Sequence, residues 1–324
     1  MLSKLKGKKL PSIFTVICAL VIEIIVFTLA SPYFLTVKNV LNIGLYAAIV
    51  GVVSCSVTFI NISGNIDLSV GSQIAAVGMV AAICSSKLGM PWYFTVLCAL
   101  ASGVLVGAIN GFFITVLKLN AFITTIATMQ VFRGFAYLIT NGSSVTISDR
   151  SFIFIGRGYI GPIPCSLLIM AVTYVIFHLI SKYTVFGRNV YMIGGNAQAS
   201  FLSGIKVNRQ RFALYVLNGL MCGVSGVLMA AQTGAGLPNA AVNYNMTALS
   251  AVILGGAALT GGKGTIWGTL IGALLMAVIR NGLNLAGAKN DVQYIVIGSV
   301  IILAVTIDVF RNKMEAKARK MAAQ

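Results

Sequence analysis

Residues 212–262 read FALYVLNGLMCGVSGVLMAAQTGAGLPNAAVNYNMTALSAVILGGAALTGG, without one Asp, Glu, Lys, Arg or His. A helix crossing a hydrocarbon core of about 30 Å uses roughly 20 residues, so an uncharged run of this length holds more than one crossing. The segment TGAGLPNAAVNYN at 233–245 gathers the Gly, Pro and Asn residues that mark turns. It divides the run into a span at 212–232 and a shorter one at 245–261, joined outside. The shorter one contains Gly255-Gly256, and a re-entrant or broken helix is the alternative to a full crossing there. Irregular backbone at membrane depth is tolerated where protein or a water-filled cavity surrounds it.

Outward from this run the pattern repeats. Of 324 residues 58% are hydrophobic and 9% charged, against roughly 45–50% and about 25% in soluble domains. Further spans are expected at 12–31, 39–60, 66–86, 91–116, 121–140, 162–181, 264–284 and 291–310, which makes an all-α polytopic membrane protein of about ten transmembrane helices. The net charge of +17 sits between the apolar runs. With residues 1–11 inside, sixteen basic residues fall in inside segments and five in outside ones, which places both termini in the cytoplasm and argues against nucleic acid as a partner. The domains are then a basic N-terminus at 1–11, a transmembrane domain at 12–310 and a basic tail at 311–324. Within the transmembrane domain, 182–211 is a long cytoplasmic loop. Lys4, Lys6, Lys8 and Lys9 ahead of an apolar stretch also fit a signal peptide, but that stretch exceeds a typical h-region, so an uncleaved first helix is expected.

Chemistry of its own is hard to find. A phosphate-cradling loop needs G-x-x-x-x-G-K-[ST], and AALTGGKGT around Lys263 has Ala257 and Gly264 at two required positions. The single His178 has no acid near it in sequence, and the six acidic residues are scattered, so neither a triad nor a metal cluster assembles. The six cysteines lie almost entirely in apolar runs with no CxxC pair. No catalytic, cofactor-binding or metal site is expected on this chain.

Ionisable residues at membrane depth usually face the bundle interior or a pathway. Glu23, Asp67, Arg133 and Arg280 qualify. Asp67 also suits the N-terminus of the third span as a cap. Arg133, in mid-span, is expected in an ion pair, with Glu23 a candidate partner, and Arg280 is expected to snorkel to the outer surface. The candidate translocation path is Asn65, Asp67, Ser69, Asn110, Thr128, Arg133 and Asn281, with interhelical hydrogen bonding as the plainer role for most of them. Glycines at 103, 107 and 111, and at 268 and 272, read as seams for close helix contact. Gly64 and Gly71 echo the spacing of Gly261 and Gly268.

In KYTVFGRNVYMIGGNAQASFLSGIKVNRQR at 182–211, Gly194 and Gly195 precede Asn196, a good N-cap, and Gly204 is a good stop. A short helix is expected over 197–203. About seven helical residues are marginal alone in water, so Ala199, Phe201, Leu202 and Ile205 should meet a docking surface.

GNIDLSVGS at 64–72, AFITTIATMQVFRG at 121–134, YMIGGNAQASFLSGI at 191–205, LGGAALTGGKGTIWGTLIGA at 254–273 and RNGLNL at 280–285 together resemble the permeases of ribose-type ABC importers. That family handles ribose, other pentoses and hexoses, and autoinducer-2-type signalling sugars. Where it has Gly-Gly-Ile-Asp and Leu-Gly-Thr, this chain has Gly64-Asn65-Ile66-Asp67 and Ile126-Ala127-Thr128. The resemblance implies a bacterial inner-membrane subunit importing a sugar-like solute by alternating access. Its implied partners are a second permease subunit, a cytoplasmic twin-cassette ATPase carrying the ATP and Mg, and a periplasmic or lipid-anchored sugar-binding protein. It further implies that 191–205 supplies the coupling helix. The competing reading is an ion-gradient-driven transporter of a neutral polar solute, with Asp67 and Glu23 as coupling carboxylates.

Overall fold

The computed structural model describes residues 12–289, 291–300, 302, 303 and 306; the expected basic N-terminus at 1–11 and tail at 311–324 lie outside them. The helices are α1 Ser12–Ala30, α2 Val37–Ile62, α3 Val70–Ala82, α4 Trp92–Thr115, α5 Ala121–Leu138, α6 Arg150–Arg157, α7 Cys165–Tyr183, α8 Val185–Gly195, α9 Ala197–Leu202, α10 Val207–Thr233, α11 Tyr244–Leu254, α12 Ile266–Leu285 and α13 Asp291–Val300. A π-helical turn, Ile83–Lys87, extends α3. Among the described residues six helices are long and apolar enough to cross a membrane: α2, α3 with its π turn, α4, α7, α10 and α12. At 18 residues α5 has the length, but three threonines, Gln130 and Arg133 lower its hydropathy.

Centrality follows composition. From Ala47 to Ile62 every residue of α2 is buried, and α7, α10, α11 and α12 pack around it. The α4–α10 contact is a backbone-to-backbone seam. Side chains at Gly103 and Gly107 would run into Gly219 and Tyr215 carbonyls across it, so the small residues there serve close approach.

The charge-free run folds in an unexpected way. α10 stops at Gly234, whose φ of 72° takes the left-handed cap conformation. Ala235–Gly236 (β2) pairs antiparallel with Val145–Thr146 (β1), and residues 238–243 form turns, with Ala241 and Asn243 at positive φ. This stretch runs down α3: Gly236 lies against Ala82 and Gly78, and the Ala241 carbonyl lies against Gly71. Seven to eleven helical residues separate those levels, about 10–16 Å of α3 at about 1.5 Å per residue. The unwound chain therefore sits at the depth of a spanning helix. α11, expected as a span over 245–261, is only 11 residues long, so the short eighth element is a broken helix.

Candidate functional site

Asp67 lies in the non-helical link between α2 and α3 and is 3% exposed. Its Oδ1 accepts the Ser69 N–H at 2.8 Å and the Ser69 hydroxyl at 2.5 Å. Its Oδ2 accepts from Asn218 Nδ2 at 2.9 Å and Gln73 Nε2 at 3.1 Å. Ser69 Oγ in turn accepts from Gln73 Nε2 and Asn110 Nδ2, both at 2.8 Å. Ser56 on α2 donates to Asn218 Oδ1 at 2.7 Å, which fixes the orientation of that amide. A buried carboxylate is costly unless donors meet its lone pairs, and here they come from α3, α10 and the link itself. Asp67 does serve the N-terminus of α3 by accepting the Ser69 N–H, although it is not the N-cap residue itself. Ser69 holds the N-cap position without a side-chain cap bond, and Asp67 also ties α2, α3, α4 and α10 together.

Of the candidate path residues, Asp67, Ser69 and Asn110 meet in this cage, sealed from any passing molecule at 3% exposure or less. Asn65 is local to it, donating to Ser63 Oγ at 3.3 Å. Gln73 and Asn218 complete the cage. Asn218 carries no sequence signal beyond being an amide in a small-residue helix, because its partner is 151 residues away.

Arg133 meets no acid among the described residues. Its Nη1 donates to the carbonyls of Pro238 at 2.7 Å and Ala240 at 2.8 Å. The ion pair expected for it is replaced by capture of unwound backbone, which in lipid has no water to bond. Glu23 is elsewhere, on α1, with a buried Oε2 that finds no hydrogen-bond partner among the described residues. Beside Arg133 opens a cavity of about 290 Å3, bounded by Gly71, Ser72, Met129, Gln130, residues 241–243, Asn245 and Met246. Thr128, one turn down α5, faces a separate apolar groove with Phe113, Leu119 and Ile123.

Asn281 lies apart from the cage, in a reciprocal amide pair with Asn39 at 2.8 Å in each direction. Its neighbour Arg280 does not snorkel. The guanidinium is half-buried, 4.7 Å over the Tyr46 ring and 5.9 Å from Tyr244, and donates to Tyr46 Oη at 3.0 Å. Two facing rings hold the cation more favourably than a reach to the surface would.

The segment 182–211 folds as two helices. α8 ends at Gly195, and α9 follows after Asn196, whose Oδ1 accepts the Ala199 N–H at 2.9 Å. At its end the Ile205 N–H bonds the Ser200 carbonyl at 3.0 Å, across Gly204 at φ 84°, so the expected cap and stop are both in place. Ser203 falls outside the helix, one residue short of the expected end. Phe201 and Leu202 stand 63% and 77% exposed and Ala199 is exposed too, whereas Ile205 is half-covered. At the other end Gly194 packs against the Ile62 carbonyl and the Gly262 N–H, which also bond each other at 2.8 Å. Gly261 abuts Gly64 there, so the echoing glycines of the two sequence segments touch. No sequence signal predicts this junction, since its contacts are backbone to backbone.

A bundle of apolar helices, a polar cage locking four of them, a broken helix and a protruding apolar connector define a polytopic helical membrane protein. Residues 39–305 match the family described as "Branched-chain amino acid transport system / permease component", and the chain belongs to it. The ribose import permease protein RbsC of Bacillus subtilis (strain 168) is 38% identical over 292 residues, covering 89% of this chain and 90% of that one. The L-arabinose transport system permease protein AraH of Escherichia coli (strain K12) is 36% identical, covering 87% and 86%. The xylose transport system permease protein XylH of the same strain is 33% identical, covering 91% of each. The family expected from the five quoted motifs is the one found.

Proposed function

We propose that this chain is the inner-membrane permease subunit of an ATP-binding-cassette importer, moving a monosaccharide or sugar-like solute into the cytoplasm by alternating access. The relatives named for ribose, arabinose and xylose support the solute class. One structural observation carries the coupling: α9 offers bare Phe201 and Leu202, and Gly194 at the end of α8 abuts the end of α2 and the α11–α12 link. A push on α9 is thereby passed to two elements of the bundle without any bond being made or broken.

In this reading ten helices cross, both termini and 182–211 are cytoplasmic, and the chain itself performs no catalysis. A twin-cassette ATPase with its ATP and Mg docks on α9, a binding protein delivers solute from outside, and a second permease subunit completes the pathway. The ion-gradient alternative gains nothing from the relatives.

Reconstitution tests this. Alone in liposomes the chain neither hydrolyses ATP nor accumulates D-ribose, L-arabinose or D-xylose under a proton or sodium gradient. With its ATPase and binding protein it accumulates at least one of them on ATP. Gradient-driven accumulation by the lone chain would install the rival reading.

A further inference from the structure

The cavity beside Arg133 has features that the polar cage and the α8–α9 segment leave unexplained. One wall is the broken backbone at 241–243, the other is α5, and the floor is Ser72 on α3. Ser72 is buried and Gln130 and Asn243 are exposed, all three line the cavity, and none of their side chains makes a hydrogen bond among the described residues. Arg133 spends only Nη1 on Pro238 and Ala240, and its Nε and Nη2 make no hydrogen bond among the described residues. Side chains with free donors and acceptors around one cavity can hydrogen-bond an occupant.

Charge and shape narrow the occupant. Among the described residues the lining has one cation, already facing two carbonyl oxygens, and no acid. An anion would meet that oxygen-rich backbone, and a second cation would meet the guanidinium. Amides and a hydroxyl, by contrast, both donate and accept, which matches alcohol groups. Met129 and Val242 supply an apolar side for the C–H face of a ring. At about 290 Å3 the space is at the small end of ligand pockets, which run to about 1,000 Å3.

We infer that the cavity between α5 and the unwound segment 237–243 is a binding site for a small, uncharged, polyhydroxyl solute, with Ser72, Gln130, Arg133 and Asn243 as its hydrogen-bonding groups. The inference rests on the permease reading and adds to it a defined resting place inside the chain. The shape of the site follows from the break in the helix. A continuous helix through 237–243 would bond its own N–H and C=O groups, leaving no carbonyls for Arg133 and no turn to hold Asn243 at the rim.

The test is solute protection in the full complex with ATPase and binding protein. Gln130→Cys is placed in a chain lacking its native cysteines, and alkylation by a small maleimide is timed with and without 100 mM D-ribose, L-arabinose or D-xylose, whichever the wild-type complex imports. The expected result is at least a threefold slowing by the imported sugar, with no slowing by an equal concentration of sodium phosphate. Ser151→Cys, on α6 outside the cavity, should react at one rate throughout. A second variant, Met246→Cys on the same rim, should be shielded in parallel. Import with equal alkylation rates at both rim positions overturns the site while leaving the permease reading standing. No import of any of the three sugars overturns both.

Discussion

Gly194, near the end of α8, lies so close to the carbonyl of Ile62, the last residue of α2, that no side chain fits between them. The Gly262 N–H bonds the same carbonyl at 2.8 Å. One oxygen atom therefore joins the connector bearing α9, the central helix and the α11–α12 link.

Filling that contact should be costly. Gly194→Ala forces backbone apart rather than a flexible side chain, and overpacking of this kind costs about 1–3 kcal/mol. A lowered melting temperature in detergent and slower solute uptake are expected. At the adjacent Gly195 a methyl group would have nothing within 4 Å among the described residues, so this position should accept Ala with little change. Equal behaviour of the two variants would dismiss the junction.

Phe201→Asp and Ala199→Asp should leave the permease inserted and folded, because both side chains are exposed. Loss of an interface anchor costs about 2 kcal/mol or more, roughly a 30-fold weakening. Co-purification with the ATPase and solute-stimulated ATP hydrolysis read it out. Wild-type values in both variants would remove α9 from the mechanism.

Asp67→Asn should destabilise the bundle more than Asn110→Ala does. The substitution puts an amide nitrogen among the donors from Ser69, Gln73 and Asn218, and each hydrogen bond to a charged acceptor is worth about 1.5–3 kcal/mol. Thermal unfolding followed by fluorescence-detected gel filtration measures it. An Asp67→Asn variant as stable as wild type would show that the carboxylate is not the tie.

Arg133→Leu should loosen residues 237–243, leaving two carbonyls unpaired at membrane depth, at about 2–6 kcal/mol for the two. Hydrogen exchange at 237–243 faster than in the wild type, with α10 unchanged, is the signature. Arg133→Lys, with one point charge in place of a fork, should fall between Leu and wild type. Unchanged exchange in Arg133→Leu would refute the role.

Topology is read by impermeant thiol labelling in intact cells, again without native cysteines. Ser203→Cys, exposed just past α9, should be protected from outside, and Ser151→Cys on α6 should react. Ser200 is unsuitable because it is 3% exposed. Equal labelling at 203 and 151 would reverse the orientation.

Legibility differed between elements for a physical reason. The cap and stop of α9 were readable because Asn196 and Gly204 act on backbone within five residues. The cage was half readable: Asp67, Ser69 and Asn110 stood out as polar residues in apolar runs, but Asn218 reaches Asp67 only through the α10 packing. Arg133 was correctly placed inside the bundle, yet its partners are main-chain carbonyls 105 and 107 residues away, and any sequence offers a carbonyl at every position.

What the sequence alone determined was the solvent and the class. Runs of apolar residues set the helices and their order, because helix length must match the bilayer, and five motifs identified the family. The tertiary structure alone decided where the helix breaks and what each buried polar group meets. A side chain's polarity is a local property, whereas its partner is chosen by which helices pack together. Arg280 shows the difference: its charge near a span end suggested the surface, and the rings of Tyr46 and Tyr244 hold it inside.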